Sequence, residues 1–292
     1  MSILIDEKTR LIVQGITGRE GTFHTEQMLE YGTKVVAGVT PGKGGTEVLG
    51  IPIFNTVMEA RVRTGANASV VFVPPKFMYG AAYEAIISGM PLVITIAEGV
   101  PVHEMLRLHH LAKEKGCRLV GPNSFGIISP GKAKAGFMAH RIFLKGNVGI
   151  MSRSATNAYE TVFLMKQKGI GQSTCIGVGG DMIPGSTFVD VLPFFEKDPD
   201  TRLIVMIGEI GGGEEEMAAA YIKQYITKPV VALIAGKNAP KDTSMGHAGA
   251  IVSPDGEGSA ERKESELRKA GVHIAEGTED LVDILVSLQE TV

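Results

Sequence analysis

Arg10-Leu11-Ile12-Val13-Gln14 runs straight into Gly15-Ile16-Thr17-Gly18-Arg19-Glu20-Gly21. An apolar run that ends in a glycine-rich turn, with an amphipathic stretch over 23–31 behind it, predicts strand, turn and helix. Glycines let the backbone N–H groups of such a turn reach a phosphate at the helix N-terminus, where the peptide dipoles favour an anion. The spacing is G-x-x-G-x-x-G, not the G-x-G-x-x-G of the common dinucleotide turn. Many strand-to-helix turns carry glycine for geometry alone, so the turn by itself names no ligand.

The same rhythm continues outward. Strands are predicted over 34–39, 68–73, 92–96 and 118–120, with helices over 78–88 and 102–114. Strands this apolar, set between helices, imply a parallel sheet covered on both faces and joined by crossovers: a doubly wound, Rossmann-like α/β fold. A dinucleotide site would carry Asp or Glu at the end of the second strand for the ribose hydroxyls. This chain has Thr40-Pro41-Gly42-Lys43-Gly44-Gly45 there, which disfavours a nicotinamide oxidoreductase. A lysine suits a phosphorylated ribose instead, such as that of coenzyme A; the alternative is a solvated loop lysine. Pro74-Pro75-Lys76-Phe77 and Ala97-Glu98-Gly99-Val100-Pro101 converge on the same crevice, their prolines stiffening its walls. Gly121-Pro122-Asn123-Ser124-Phe125-Gly126 follows the next strand, where a plain turn explains it equally well.

The pattern weakens over 129–147, and a domain boundary is placed near Lys145, giving units 1–145 and 146–292. A second α/β series follows. Strands are predicted over 148–151, 173–178, 203–208 and 229–235, and helices over 158–168, 187–196, 214–225, 260–270 and 281–291. Ser152-Arg153-Ser154-Ala155-Thr156 offers hydroxyls and free N–H groups at a helix start, an anion site or an ordinary cap. Gly179-Gly180-Asp181 and Gly211-Gly212 read as tight turns. Glu209 ends a strand, and His247 stands among small residues in Gly246-His247-Ala248-Gly249-Ala250-Ile251. From neighbouring strand ends the two can meet. A carboxylate on Nδ1–H fixes the tautomer and leaves Nε2 as nucleophile, which points to phosphoryl transfer through phosphohistidine.

Composition bounds the rest. The 292 residues are 44% hydrophobic and 21% charged, with net charge −3, which argues against a polyanionic partner. No apolar run approaches the ~18 residues of a membrane helix, and no signal-peptide pattern opens the sequence. Cys117 and Cys175 lack metal-type spacing and suit reduced thiols in a cytoplasmic protein; no metal site is expected. His24, His103, His109, His110, His140 and His273 lack a setting like that of His247, and Phe188 suits packing.

Gly15-Ile16-Thr17-Gly18, Pro41-Gly42-Lys43-Gly44-Gly45, Gly121-Pro122-Asn123, Ser152-Arg153-Ser154, Gly208-Glu209-Ile210-Gly211-Gly212 and Gly246-His247-Ala248-Gly249 together resemble the α subunit of the succinate–CoA ligase family, over essentially the whole chain. The resemblance implies a Rossmann-like CoA-binding domain, then a flavodoxin-like domain in which His247 is phosphorylated and Glu209 supports it. It implies coenzyme A against Thr17, Gly18, Arg19, Glu20, Gly21, Pro41, Lys43, Val73, Pro74, Ile96, Ala97, Glu98 and Asn123. Phosphate and acid would lie at Ser154, Ala155, Thr156 and Tyr159, although the residues alone make Tyr159 a packing ring. ATP or GTP with Mg2+ would bind an ATP-grasp β subunit, in a heterodimer or heterotetramer; this chain has no G-x-x-x-x-G-K-[ST] loop. Phosphate would pass from nucleotide to His247, then to the acid as an acyl phosphate, which CoA would convert to a thioester.

Departures bear on the acid. Ala155 replaces a usual glycine, Asn157-Ala158 a Leu-Thr, Ser124-Phe125 a Cys-Pro, and Thr243-Ser244 a frequent basic pair. Pro184-Gly185-Ser186-Thr187-Phe188 looks like ATP-citrate lyase, while residues 1–9 and 14–18 look like malate–CoA ligase small subunits. These added polar groups make malate or citrate serious rivals, while succinate is expected first on its frequency in the family. A CoA-binding regulatory module is the alternative of another class; it would leave Glu209 and His247 unexplained.

Overall fold

The computed structural model describes residues 2–239, 246–247, 249–253 and 256–289. Ala248, Thr243, Ser244, Met1 and the end of the closing helix predicted at Thr291 lie outside the described residues. The chain runs β1 (Arg10–Gln14), α1 (Arg19–Glu30), β2 (Lys34–Val39), β3 (Glu47–Val48), β4 (Ile51–Phe54), α2 (Val57–Thr64), β5 (Ala68–Val71), α3 (Pro75–Ile87), β6 (Leu92–Thr95), α4 (Val102–Lys115) and β7 (Arg118–Val120). These strands form one sheet in the order β3-β4-β2-β1-β5-β6-β7. Its parallel strands, counted in chain order, read 3-2-1-4-5-6, the dinucleotide-fold arrangement whose ligand crevice opens between β1 and β5.

The second sheet contains β8 (Gly126–Ser129), β9 (Ala133–Gly136), β10 (Lys145–Ser152), β11 (Gln172–Gly177), β12 (Leu203–Glu209), β13 (Val230–Ala235) and β14 (His273–Ala275), with α5 (Ala155–Gln167), α6 (Phe188–Lys197), α7 (Glu214–Tyr225), α8 (Ala260–Lys269) and α9 (Thr278–Gln289). Its order is β14-β13-β12-β10-β11-β8-β9. The parallel strands alone read 2-1-3-4-5, the flavodoxin-like order. Strands such as Leu203-Ile204-Val205-Met206-Ile207 are buried throughout, as strands covered on both faces must be.

β8 and β9 join this second sheet by antiparallel pairing of Ile128 with Cys175, although they precede the boundary expected near Lys145. The two sheets share one buried cluster, in which Leu11 and Val13 pack in continuity with Ile127, Ala135 and Met151. A reciprocal pair of hydrogen bonds at 2.9 Å, between Thr33 and the backbone of Lys134, ties the end of α1 to β9.

Four helices, α1, α3, α5 and α9, start earlier than the apolar pattern predicts, while α4, α7 and α8 start where it places them. α1 begins at Arg19 and α5 at Ala155, because first turns are polar and exposed and carry little hydrophobic period. Both cysteines are free and buried, and burial pushes the Cys117 thiol up to about 12 and that of Cys175 higher. Among the described residues no helix is long and apolar enough to cross a membrane.

Candidate active site

All the loops expected to meet coenzyme A leave the carboxyl edge of the first sheet. Thr17 and Gly18 follow β1, and Arg19, Glu20 and Gly21 form the first turn of α1. Gly15 sits at φ +78°, and a Cβ there would come within 2.4 Å of Phe72 O. A Cβ on Gly21 would come within 2.1 Å of Gly15 O. The turn is therefore as compact as a phosphate cradle needs, with Thr17 to Glu20 exposed around it. Thr17 Oγ1 reaches Thr40 Oγ1 at 3.2 Å, which joins this turn to the one after β2. There Asn55 Oδ1 accepts the N–H groups of Gly42 and Gly44 at 2.8 and 3.0 Å, holding Pro41 and Lys43 outward. Val73 and Pro74 follow β5, and Ile96, Ala97 and Glu98 follow β6. Asn123 follows β7 at φ +53° and donates its N–H to Ala97 O at 2.8 Å.

In the second sheet β12 lies between β10 and β13, so the residues after all three meet at one edge. Glu209, the last residue of β12, is buried. Its Oε2 lies 2.7 Å from His247 Nδ1, in the loop that follows β13. The other oxygen, Oε1, faces Arg153 Nε at 3.1 Å as an ion pair whose N–H is not aligned for a hydrogen bond. The His247 ring rests on Gly180, where a Cβ would come within 2.5 Å of Nδ1 and Cε1. Gly211, at φ +89°, passes so close to Gly249 that a Cβ would meet its carbonyl oxygen at 1.9 Å. The loop carrying the histidine is thus docked on glycine backbone from two sides.

A buried charge network underlies the pair. Lys263, wholly buried on α8, forms an ion pair with Glu215 and donates to Glu209 O at 2.9 Å and Gly211 O at 2.6 Å. Glu215 Oε1 in turn accepts the Glu209 N–H at 3.1 Å and lies 3.8 Å from Arg153. The hydrogen bond to Glu209 raises the pKa of His247, against burial and the nearby Arg153, which lower it. Burial pushes Glu214 up to about 7 against the pull of Arg153. With Nδ1 facing Glu209, Nε2 is the ring nitrogen on the side away from that carboxylate.

Ser154 caps α5, its hydroxyl accepting the Asn157 N–H at 3.2 Å, and Ala155 opens that helix. Ala155 is absent from the residues at positive φ, so alanine suits the position. Thr156 is exposed in the same first turn. The Tyr159 ring packs 5.9 Å from Phe125, and its hydroxyl is buried without a hydrogen-bond partner. Burial raises its pKa well above the ordinary tyrosine value. Pro184 to Phe188, by contrast, serves the fold. Gly185 N–H donates to Gly121 O at 2.6 Å, Ser186 to Leu119 O at 2.6 Å, Thr187 caps α6, and Phe188 is fully buried. These contacts tie that string into the fold.

Glu215 and Lys263 were not singled out by sequence, and Arg153 and Gly180 stood in quoted motifs without a role of their own. Lys263 left a readable signal, since it stands between Ala260 and Leu267 at core spacing on α8. The others are charged or glycine residues whose burial only the tertiary contacts fix.

Residues 6–99 match the CoA binding domain family and residues 151–278 the CoA-ligase family. The ADP-forming succinate–CoA ligase subunit alpha 2 of Archaeoglobus fulgidus is 49% identical over 288 residues, covering 99% of this chain and 100% of that one. The malate–CoA ligase subunit alpha of Methylorubrum extorquens is 52% identical over 279 residues, covering 94% of each. ATP citrate lyase from Methanothrix soehngenii, solved with citrate and coenzyme A, matches with a TM-score of 0.87 at 24% identity, a likeness of fold. It covers 98% of this chain, which spans 52% of that longer one. Fold, site and matched families define an acid–CoA ligase subunit with a CoA-binding domain. The chain belongs to the succinate–CoA ligase α-subunit family.

Proposed function

We propose that this chain is the histidine-bearing subunit of a nucleotide-dependent succinate–CoA ligase, with residues 1–145 binding coenzyme A and 146–292 carrying the reaction centre. The observation that supports it most is the buried Glu209 carboxylate held 2.7 Å from His247 Nδ1. In this reading Nε2 attacks the terminal phosphorus of ATP or GTP bound with Mg2+ on an ATP-grasp β subunit. An N–P bond forms, the bond to the leaving nucleoside diphosphate breaks, and Glu209 stabilises the positive charge left on the ring. A carboxylate oxygen of the acid then takes the phosphoryl group, and the N–P electron pair returns to Nε2. The CoA thiol attacks the acyl carbon, and phosphate leaves with the C–O electron pair and the thiol proton.

Ser154, Ala155 and Thr156 supply the hydroxyl and N–H groups of a helix start for the phosphate, and Tyr159, on the same helix, shapes the acid's pocket through its packed ring. Lys43, exposed beside the cradle of Gly15 and Gly21, takes the ribose phosphate of coenzyme A. The assembly is a heterodimer or heterotetramer with the β subunit, and the free buried thiols suit a cytoplasmic location.

Malate remains a second reading, supported by the identity to the Methylorubrum subunit. Initial rates of the complex with ATP, CoA and each of succinate, malate and citrate separate these. The reading expects kcat/KM to be highest for succinate by at least tenfold. A preference for malate or citrate overturns the choice of acid, and turnover of none overturns the function.

A further inference from the structure

Asp181 stands between the two halves of the site, and no step above uses it. It ends Gly179-Gly180-Asp181, the turn after β11. That turn is clamped on both sides. A Cβ on Gly179 would come within 2.2 Å of Pro122 O, and the Gly180 N–H donates to Asn123 O at 3.1 Å. The opposite face of Gly180 carries the His247 ring.

Asp181 is 7% exposed and faces the first sheet. Its Oδ2 accepts the Gly99 N–H at 3.2 Å, from the loop that follows β6. Burial raises the Asp181 pKa, and its charge also acts on His247. Nothing in the two preceding glycines needs a buried carboxylate at this position. The group that uses it as an acceptor, the Gly99 N–H, lies on a coenzyme loop.

We propose that Asp181 is a positioning residue for thioester formation, holding the Glu98-Gly99-Val100 loop at a fixed distance from His247. The inference rests on the function proposed above. No bond forms or breaks at Asp181. It joins the coenzyme loops to the phosphohistidine loop through a single turn, so that the thiol arrives where the acyl phosphate forms. The first half of the reaction, nucleotide to histidine, does not need that registration; the half that uses CoA does.

The test uses the complex with its β subunit, carrying Asp181→Ala or Asp181→Asn, with γ-labelled ATP, succinate and CoA. Both variants should take label to the wild-type stoichiometry. The KM for CoA should rise about tenfold in Asp181→Ala, the scale expected on losing the buried charged acceptor of the Gly99 N–H. The KM for succinate should move less than twofold. Asp181→Asn, which keeps one acceptor oxygen for Gly99, should fall between, and it decides the matter alone if the alanine variant does not fold. A labelled variant whose KM for CoA stays within twofold of wild type overturns the proposal. Equal losses in both KM values overturn it as well, since they would mark a general disturbance. A wild-type complex that takes no label overturns the proposed function and this inference with it, and is distinguished by that absence.

Discussion

Replacing Glu209 with Gln keeps the shape of the side chain and removes the charge that faces His247. In the wild type a buried carboxylate holds Nδ1–H at 2.7 Å, a charge-assisted hydrogen bond. Such bonds contribute about 1.5–3 kcal/mol, and the charge that develops on the ring during attack makes the bond matter most in the transition state. At about 1.4 kcal/mol per factor of ten, labelling of His247 should slow roughly 10- to 150-fold. Arg153 keeps Glu215 at 3.8 Å, so the fold should survive. A second readout follows from the raised pKa of His247, whose first cause is Glu209. Imidazolium cannot attack, so activity falls as pH drops through that raised value, and the acidic limb lies above the ordinary histidine range. Without the carboxylate the pKa falls and the limb should move to lower pH. The assay is single-turnover labelling of the complex with γ-labelled ATP across pH. A rate within threefold of wild type, with an unmoved limb, would refute the assignment of Glu209.

Gly180→Ala places a Cβ 2.5 Å from the His247 ring, so the ring must shift off Glu209; labelling should drop at least tenfold while CoA binding by calorimetry is unchanged. Lys263→Met leaves Glu215 without its buried partner, a loss of about 3–5 kcal/mol, which should lower Tm in thermal unfolding by the order of 10 °C. Lys43→Ala removes an exposed cation, so KM for CoA should rise up to about fivefold, and KM for 3′-dephospho-CoA should not change.

The sequence carries those parts of the fold in which burial and period coincide. β1, β2, β12 and β13 are continuous apolar runs, and their order, with glycine turns behind them, is enough to infer two doubly wound sheets. Residues 47–64 gave no such signal, because β3 has two residues and α2 buries only Val57 and Ala60. β8 and β9 were hidden for another reason. Each has four residues, and Lys134 sits in the middle of β9 at 1% exposure, its pKa lowered to about 8 by burial. A buried lysine reads as a surface residue until its surroundings are known. The same holds at the site. Glu209 and His247 were legible because strand ends of a parallel sheet converge, whereas Arg153 and Lys263 depend on a charge network assembled from β10, α7 and α8.

The most direct test of the central claim is the fate of label from γ-labelled ATP on this chain, in complex with its β subunit. The account predicts an acid-labile, base-stable phosphate on the wild-type chain, none on His247→Ala, and discharge of the label by succinate with CoA. Label that persists in His247→Ala, or a wild-type chain that stays unlabelled while the complex turns over, would contradict it.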